Sequence, residues 1–187
     1  MTEPALPDKV IAIDEALVEA KVPHAIGGAL ALAYYAVPRA TIDVDVNVFV
    51  GVGRRSEVVE ALGAIGVGDS QLDDTALERD GQCRLWWGEN PVDLFFAYDP
   101  FHQEMRKAVR RAPFAGTTIP ILAPEHLAVC KARFDRPKDW LDIEQMLLAT
   151  DELDVDEIEG WLERMVGRDD PRLDRLAEIR AKLATAR

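Results

Sequence analysis

Cysteine is nearly absent from this chain. Only Cys83 and Cys130 occur among 187 residues, too far apart to form the close-spaced pairs of a zinc site or a disulfide framework. They read as two reduced, mostly buried thiols. Histidine is scarce too: His24, His102 and His126 are scattered at spacings that join no metal-ligand set, so each reads as structural. No apolar run approaches the roughly 18–20 residues needed for a membrane-spanning helix, which excludes a helical span. The first eight residues hold no basic segment leading into an apolar one, which predicts that the chain is not secreted; with the reduced thiols, this predicts a cytoplasmic protein. Positive charge is in deficit, with 34 acidic against 22 basic residues and a net charge of −12. Such a surface repels phosphate backbones, which argues against an extensive nucleic-acid surface while leaving room for a local basic pocket. Basic residues collect at Arg106-Lys107 with Arg110-Arg111, which read as a solvated helix face, and again over residues 131–138.

What is present suits a folded protein. The hydrophobic fraction of 48% is ordinary for a globular chain, and the length fits one domain or a domain with a helical appendage. Apolar residues recur at helical spacing over 9–20, with Pro7 near the start. A short strand over 24–26 runs into Gly27-Gly28, and the Ala- and Leu-rich stretch 29–36 reads as a buried helix ended by Pro38. Residues 41–50 alternate polar and apolar throughout, the pattern of a strand. A helix over 56–65 and a short one around 74–78 are expected next. Strands over 83–87 and 92–97 follow, joined by a Gly88-Glu89-Asn90-Pro91 turn. Residues 101–111 read as a helix, 117–122 as a last strand, and everything from Pro124 onward as helices broken near 136–137, 150–154 and 167–171. The fold class is therefore mixed α/β with helices at the end. The expected division is an α/β core over 1–122 and a helical region over 123–187 packed on it as one compact unit.

Asp43 and Asp45 are the first candidates for chemistry. Two residues apart in a strand, they point to one side with Cα atoms roughly 6.5–7 Å apart, while Ile42, Val44, Val46 and Val48 face the core. Aspartate is disfavoured in strands, and two like charges so close repel unless a cation lies between them, as Mg²⁺ or Mn²⁺ would. Gly27-Gly28, between a strand and a helix, lets the backbone pass close to a phosphate, and the helix start adds free N–H groups. Asp93 is a charge out of place at the start of an apolar strand. Paired beside the Asp43 strand, it would complete a carboxylate trio able to hold two metals. Of Trp86 and Trp87, alternation turns one ring to the core and one to the surface.

The run Ile26-Gly27-Gly28-Ala29 through Arg39-Ala40-Thr41-Ile42-Asp43-Val44-Asp45 resembles the signature of the nucleotidyltransferase superfamily. The likeness is to its minimal bacterial branch, which includes nucleotidyltransferase-type abortive-infection toxins. The stretches Pro124-Glu125-His126-Leu127 to Lys131 and Arg136-Pro137-Lys138-Asp139-Trp140-Leu141-Asp142 are similar to that branch's helical Lys and (Lys/Arg)-Asp-x-x-Asp elements. The resemblance covers residues 5–150 and implies a nucleotidyltransferase-like core with C-terminal helices. It also implies transfer of a nucleoside monophosphate from an NTP to an acceptor, either an RNA end, a protein hydroxyl or a small molecule. Asp43 and Asp45 would be catalytic metal ligands for Mg²⁺ or Mn²⁺, and Asp93 would bind metal or help deprotonate the acceptor. Gly27, Gly28, Arg39, Lys131, Asp139 and Asp142 would serve the nucleotide: Lys131 reaching the triphosphate, Asp139 or Asp142 orienting it or meeting the acceptor, and Arg39 bracing carboxylates. Ala29 departs from the Ser or Thr that many members carry after the glycines, which removes a hydroxyl from the phosphate grip. A cognate antitoxin or regulator is an implied partner. The alternative is a catalytically silent nucleotide-binding or interaction module on the same scaffold.

Overall fold

The computed structural model describes residues 3–68, 81–149 and 153–186, so the short helix expected around 74–78 lies outside the described residues. Chain packing divides the molecule into two units: Met1–Leu30 with Ala40–Leu122, and Ala31–Arg39 with Ala123–Arg187.

The first unit is built on a six-stranded mixed sheet. Its strands are β1 (His24–Ile26), β2 (Val44–Val48), β3 (Gln82–Trp87), β4 (Asn90–Phe96), β5 (Arg110–Phe114) and β6 (Thr117–Ile121), in the spatial order β3-β4-β2-β1-β6-β5. β1 runs antiparallel to β2 and parallel to β6; β2 runs parallel to β4; β3 and β5 are antiparallel outer strands. Helix α1 (Leu6–Glu19) starts on a proline in its first turn and buries Val10, Ile13 and Leu17 completely, while α3 (Arg55–Gly63) buries Val58 and Leu62 against it.

The register of β2 is set by its valines. Val44, Val46 and Val48 are fully buried, and burying each contributes about 1.5–3 kcal/mol. A slip of one residue would expose all three and bury the intervening polar side chains instead.

The strand is shorter than its alternation suggests. Before Val44 the pairing with neighbouring strands stops, and side chains take over the backbone: Thr41 Oγ1 accepts from the Asp43 N–H at 3.1 Å, and Asn90 Nδ2 donates to the Ile42 carbonyl at 2.8 Å. Asp43 thus sits just ahead of β2, and Ile42 is 61% exposed rather than in the core.

Three other expectations change. The helix after Gly27, α2 (Gly28–Leu32), stops short of the expected Ala36 and gives way to tight turns in which Tyr34 and Tyr35 bond back to Ala31 and Leu32. The helix α4 (Pro100–Lys107) ends before Arg110-Arg111, which lie in β5. β5 is an outer strand, where Pro113 is tolerated. The β3–β4 connection is two residues, Gly88-Glu89, with Gly88 at φ +59° and Trp87 paired with Asn90.

The second unit is helical: α5 (Pro124–Phe134), α6 (Pro137–Ala149), α7 (Val155–Val166) and α8 (Pro171–Ala186). α5, α6 and α8 each begin on a proline, whose missing N–H costs nothing in a first turn. Asp135 ends α5 at φ +56° and accepts from Trp140 Nε1 at 2.7 Å, a local bond that suits Asp to this left-handed position. No helix among the described residues is long and apolar enough to cross a membrane.

Candidate active site

Because β2 and β4 run parallel in register, Asp45 lies directly beside Asp93. Neighbouring strands stand about 4.8 Å apart, so the two carboxylates leave one face of the sheet side by side. Asp43 precedes Asp45 by two residues. Unit charges about 5 Å apart repel by on the order of 3 kcal/mol at the effective dielectric of a protein surface.

The glycine turn meets the same row. Gly27 donates its N–H to the Asp45 carbonyl at 2.8 Å. Gly28 adopts φ +53°, and a Cβ there would fall 1.7 Å from Asp45 Oδ2; a Cβ on Gly27 would fall 2.7 Å from Asn47 Nδ2. Only glycine at 28 allows both the left-handed backbone and the close approach of the Asp45 carboxylate.

Among the described residues a cation faces this row, and the sequence does not announce it. Arg84 lies directly across the hairpin from Asp93. Its Nε and Nη2 donate to Asp93 Oδ1 and Oδ2, both at 2.6 Å. The Arg84 guanidinium is held above its ordinary pKa, first by these hydrogen bonds, against its partial desolvation, and then by the charges of Asp93, Asp43 and Asp45. Arg84 thus meets the charges of three carboxylates.

Their donor chemistry, hard carboxylate oxygens converging from one sheet face, is that of a Mg²⁺ or Mn²⁺ site. The missing Cβ of Gly28 leaves room for Asp45 Oδ2, which keeps that carboxylate in the row. As the side chains lie, no three His, Cys, Asp or Glu residues among those described form a group ready to hold an ion; both Asp93 oxygens are engaged by Arg84.

The remaining candidates belong to the helical unit. Lys131 is buried and donates to Asp142 Oδ2 at 2.7 Å, with Asp139 Oδ1 at 4.0 Å. Asp139, fully buried, takes a fork from Arg136 at 2.6 and 3.2 Å, and Arg39 Nη2 reaches Asp142 Oδ2 at 3.5 Å. Lys131 is therefore held in a closed ion-pair network, and Arg39 joins it at Asp142.

The histidines and cysteines hold no ligand cluster. His24 spans Asp14 and the Val22 carbonyl, both at 2.9 Å, and His102 meets Asp99 at 3.1 Å. His126 is buried with Glu157 at 3.6 Å; Cys83 is buried and Cys130 half-buried, both free thiols. Trp86 is the exposed ring of its pair.

A second residue missed by inspection is Lys9. Only 1% exposed, it donates to Glu3, to the Trp87 carbonyl at 2.8 Å and to Asn90 Oδ1 at 2.7 Å. It thereby ties α1 to the hairpin whose Asn90 supports Ile42. Its signal was its place on the apolar stripe of α1, four residues before Ile13.

No described protein family and no curated protein matches the sequence. Solved structures do. The solution structure of the antibiotic-resistance factor ANT(2'')-Ia is similar over 88% of this chain and 92% of that one, at 18% identity and a TM-score of 0.61. Its crystal structure with adenylyl-2''-tobramycin matches over 95% and 98%, at 19% identity and a TM-score of 0.58. The lincomycin-bound lincosamide adenylyltransferase LnuA matches over 76% and 97%, at 14% identity and a TM-score of 0.55. At these identities the likeness establishes the fold: this chain has a nucleotidyltransferase-like fold.

Proposed function

We propose that this protein is a metal-dependent nucleotidyltransferase that moves a nucleoside monophosphate from an NTP to a hydroxyl-bearing acceptor. The observation that carries the reading is the parallel register placing Asp45 beside Asp93, with Gly28 shaped around the Asp45 carboxylate. Asp43 and Asp45, with Asp93, would hold Mg²⁺ or Mn²⁺, which supplies charge stabilisation for the triphosphate when bound.

The triphosphate is assigned to Gly27-Gly28 by resemblance, next to the Asp45 carboxylate, whose charge a bound metal would screen. The acceptor oxygen bonds to the α-phosphorus as the bond to the pyrophosphate oxygen breaks. Asp93 takes the hydroxyl proton, and pyrophosphate leaves. Structures of this fold hold adenylylated tobramycin and lincomycin, so small-molecule hydroxyls are the first acceptors to test, ahead of RNA ends and protein hydroxyls. Arg39, Lys131, Asp139 and Asp142 are assigned to the nucleotide by resemblance alone; their buried network assigns them first to holding α5 and α6 together. A toxin–antitoxin role with a cognate regulator is carried by the same resemblance.

One observation favours a second reading, a catalytically silent nucleotide-binding module: the Arg84 fork occupies both oxygens of Asp93. Incubation with Mg²⁺, each α-labelled NTP and a panel of aminoglycosides, lincosamides, RNAs and proteins separates the two. Label transfer that disappears in the Asp43→Asn plus Asp45→Asn variant supports the enzyme. Nucleotide binding without transfer supports the silent module. Nucleotide and Mg²⁺ binding unchanged by that double substitution sinks the carboxylate metal site, and the enzyme reading with it.

A further inference from the structure

We propose that Arg84 is a positioning residue that competes with the divalent cation for Asp93 and thereby sets the metal affinity of the carboxylate row, an inference that rests on the nucleotidyltransferase reading.

The fork is built into the backbone. Arg84 and Asp93 are register partners in a hairpin closed by a two-residue turn, and Cys83 and Leu85, on either side of Arg84, are buried on the opposite face. The strand cannot slip without burying the guanidinium and exposing that leucine. The pair therefore separates only by side-chain rotation.

Rotation is open to it. The Arg84 side chain is 54% exposed and that of Asp93 only 18%, so the arginine swings toward solvent while the carboxylate stays on the sheet. Both carboxylate oxygens carry a guanidinium hydrogen bond, the same lone pairs a hard cation requires. Fork and metal thus exclude each other at Asp93, and the positive charge adds repulsion against an entering ion. Asp43 and Asp45 act on the guanidinium only by charge in the contacts described. They are the pair that first attracts the ion, and Asp93 joins as Arg84 leaves.

A fork closed about nine-tenths of the time lowers the apparent metal affinity about tenfold. The experiment measures Mn²⁺ binding by electron paramagnetic resonance and calorimetry on the full chain. It compares wild type, Arg84→Gln, Arg84→Lys, Asp93→Asn and the Arg84→Gln plus Asp93→Asn double variant, each checked by thermal melting. Arg84→Gln should bind Mn²⁺ about tenfold more tightly, with the gain vanishing in the Asp93→Asn background. Arg84→Lys, a point charge without a fork, should fall between wild type and Arg84→Gln. Mn²⁺ binding by Arg84→Gln equal to or weaker than wild type overturns the proposal, as does a gain that survives removal of the Asp93 charge. If wild type, Arg84→Gln and Arg84→Lys all bind no Mn²⁺, the nucleotidyltransferase reading fails with it; if they bind alike, only the role of Arg84 fails.

Discussion

The molecule carries two clusters in which basic side chains meet aspartates, one in each unit, and they are organised in opposite ways. In the sheet unit, one exposed arginine faces Asp43, Asp45 and Asp93. In the helical unit, Lys131, Arg136 and Arg39 converge on Asp139 and Asp142, and Lys131 and both aspartates are buried. The second cluster is closed: three cations face two carboxylates, and water is largely excluded from the ammonium and the carboxylates it faces. The first is open: the Arg84 side chain is about half exposed and holds Asp93 from the solvent side. Breaking a closed network strands a buried charge, whereas neutralising a member of an open row relieves repulsion. Stability should therefore depend on the helical cluster and ligand binding on the sheet cluster.

The largest expected effect is Lys131→Met, which should destabilise the protein by about 3–5 kcal/mol, as removal of one partner of a buried pair does. Urea unfolding followed by tryptophan fluorescence measures it, and a loss below about 1 kcal/mol would break the contrast. Next is Gly28→Ala. An L-residue in left-handed backbone costs roughly 1–2 kcal/mol, and the methyl group would displace the Asp45 carboxylate. Metal-dependent nucleotide binding should disappear in this variant while the far-ultraviolet spectrum stays native. Asp43→Asn should change stability by no more than about 0.5 kcal/mol and still abolish that binding; a large stability loss would make Asp43 structural.

The smallest effect concerns pH. Asp170 is held down to about 2 from 3.8, first by hydrogen bonds from the Arg172 side chain and then by its backbone N–H. A depressed carboxyl stabilises the fold above its unfolded value and loses that contribution as pH falls from about 4 toward 2. Carboxyl resonances should place the Asp170 midpoint near 2, and Arg172→Gln should raise it toward 3.8.

Much of this was legible in the chain. Val44, Val46 and Val48 declare the buried face of β2, so Asp45 follows on the other face. A Gly-Gly between strand and helix marks the turn beneath it, and a lone aspartate at the head of an apolar strand marks Asp93. What escaped depends on counting and on long-range pairing. A four-residue turn over 88–91 would set Trp86 opposite Asp93; the observed two-residue turn sets Arg84 there. β5 hid behind Arg110-Arg111 and Pro113, residues that an inner strand would reject but an outer strand accepts. Lys9 entered the sequence reading only as the first residue of a helical stretch, because its acceptors at Trp87 and Asn90 lie some eighty residues away.

The two-residue hairpin also makes chain length a determinant of chemistry. Odd and even positions of β3 carry different duties: Cys83 and Leu85 belong to the interior, Arg84 and Trp86 to the carboxylate face. An insertion at Gly88-Glu89 that shifted the pairing by one would present Leu85 to Asp93 and drive the guanidinium inward. Among natural variants of this protein, substitutions at the hairpin tip should accordingly be common wherever the backbone permits them, and insertions or deletions of a single residue should be rare.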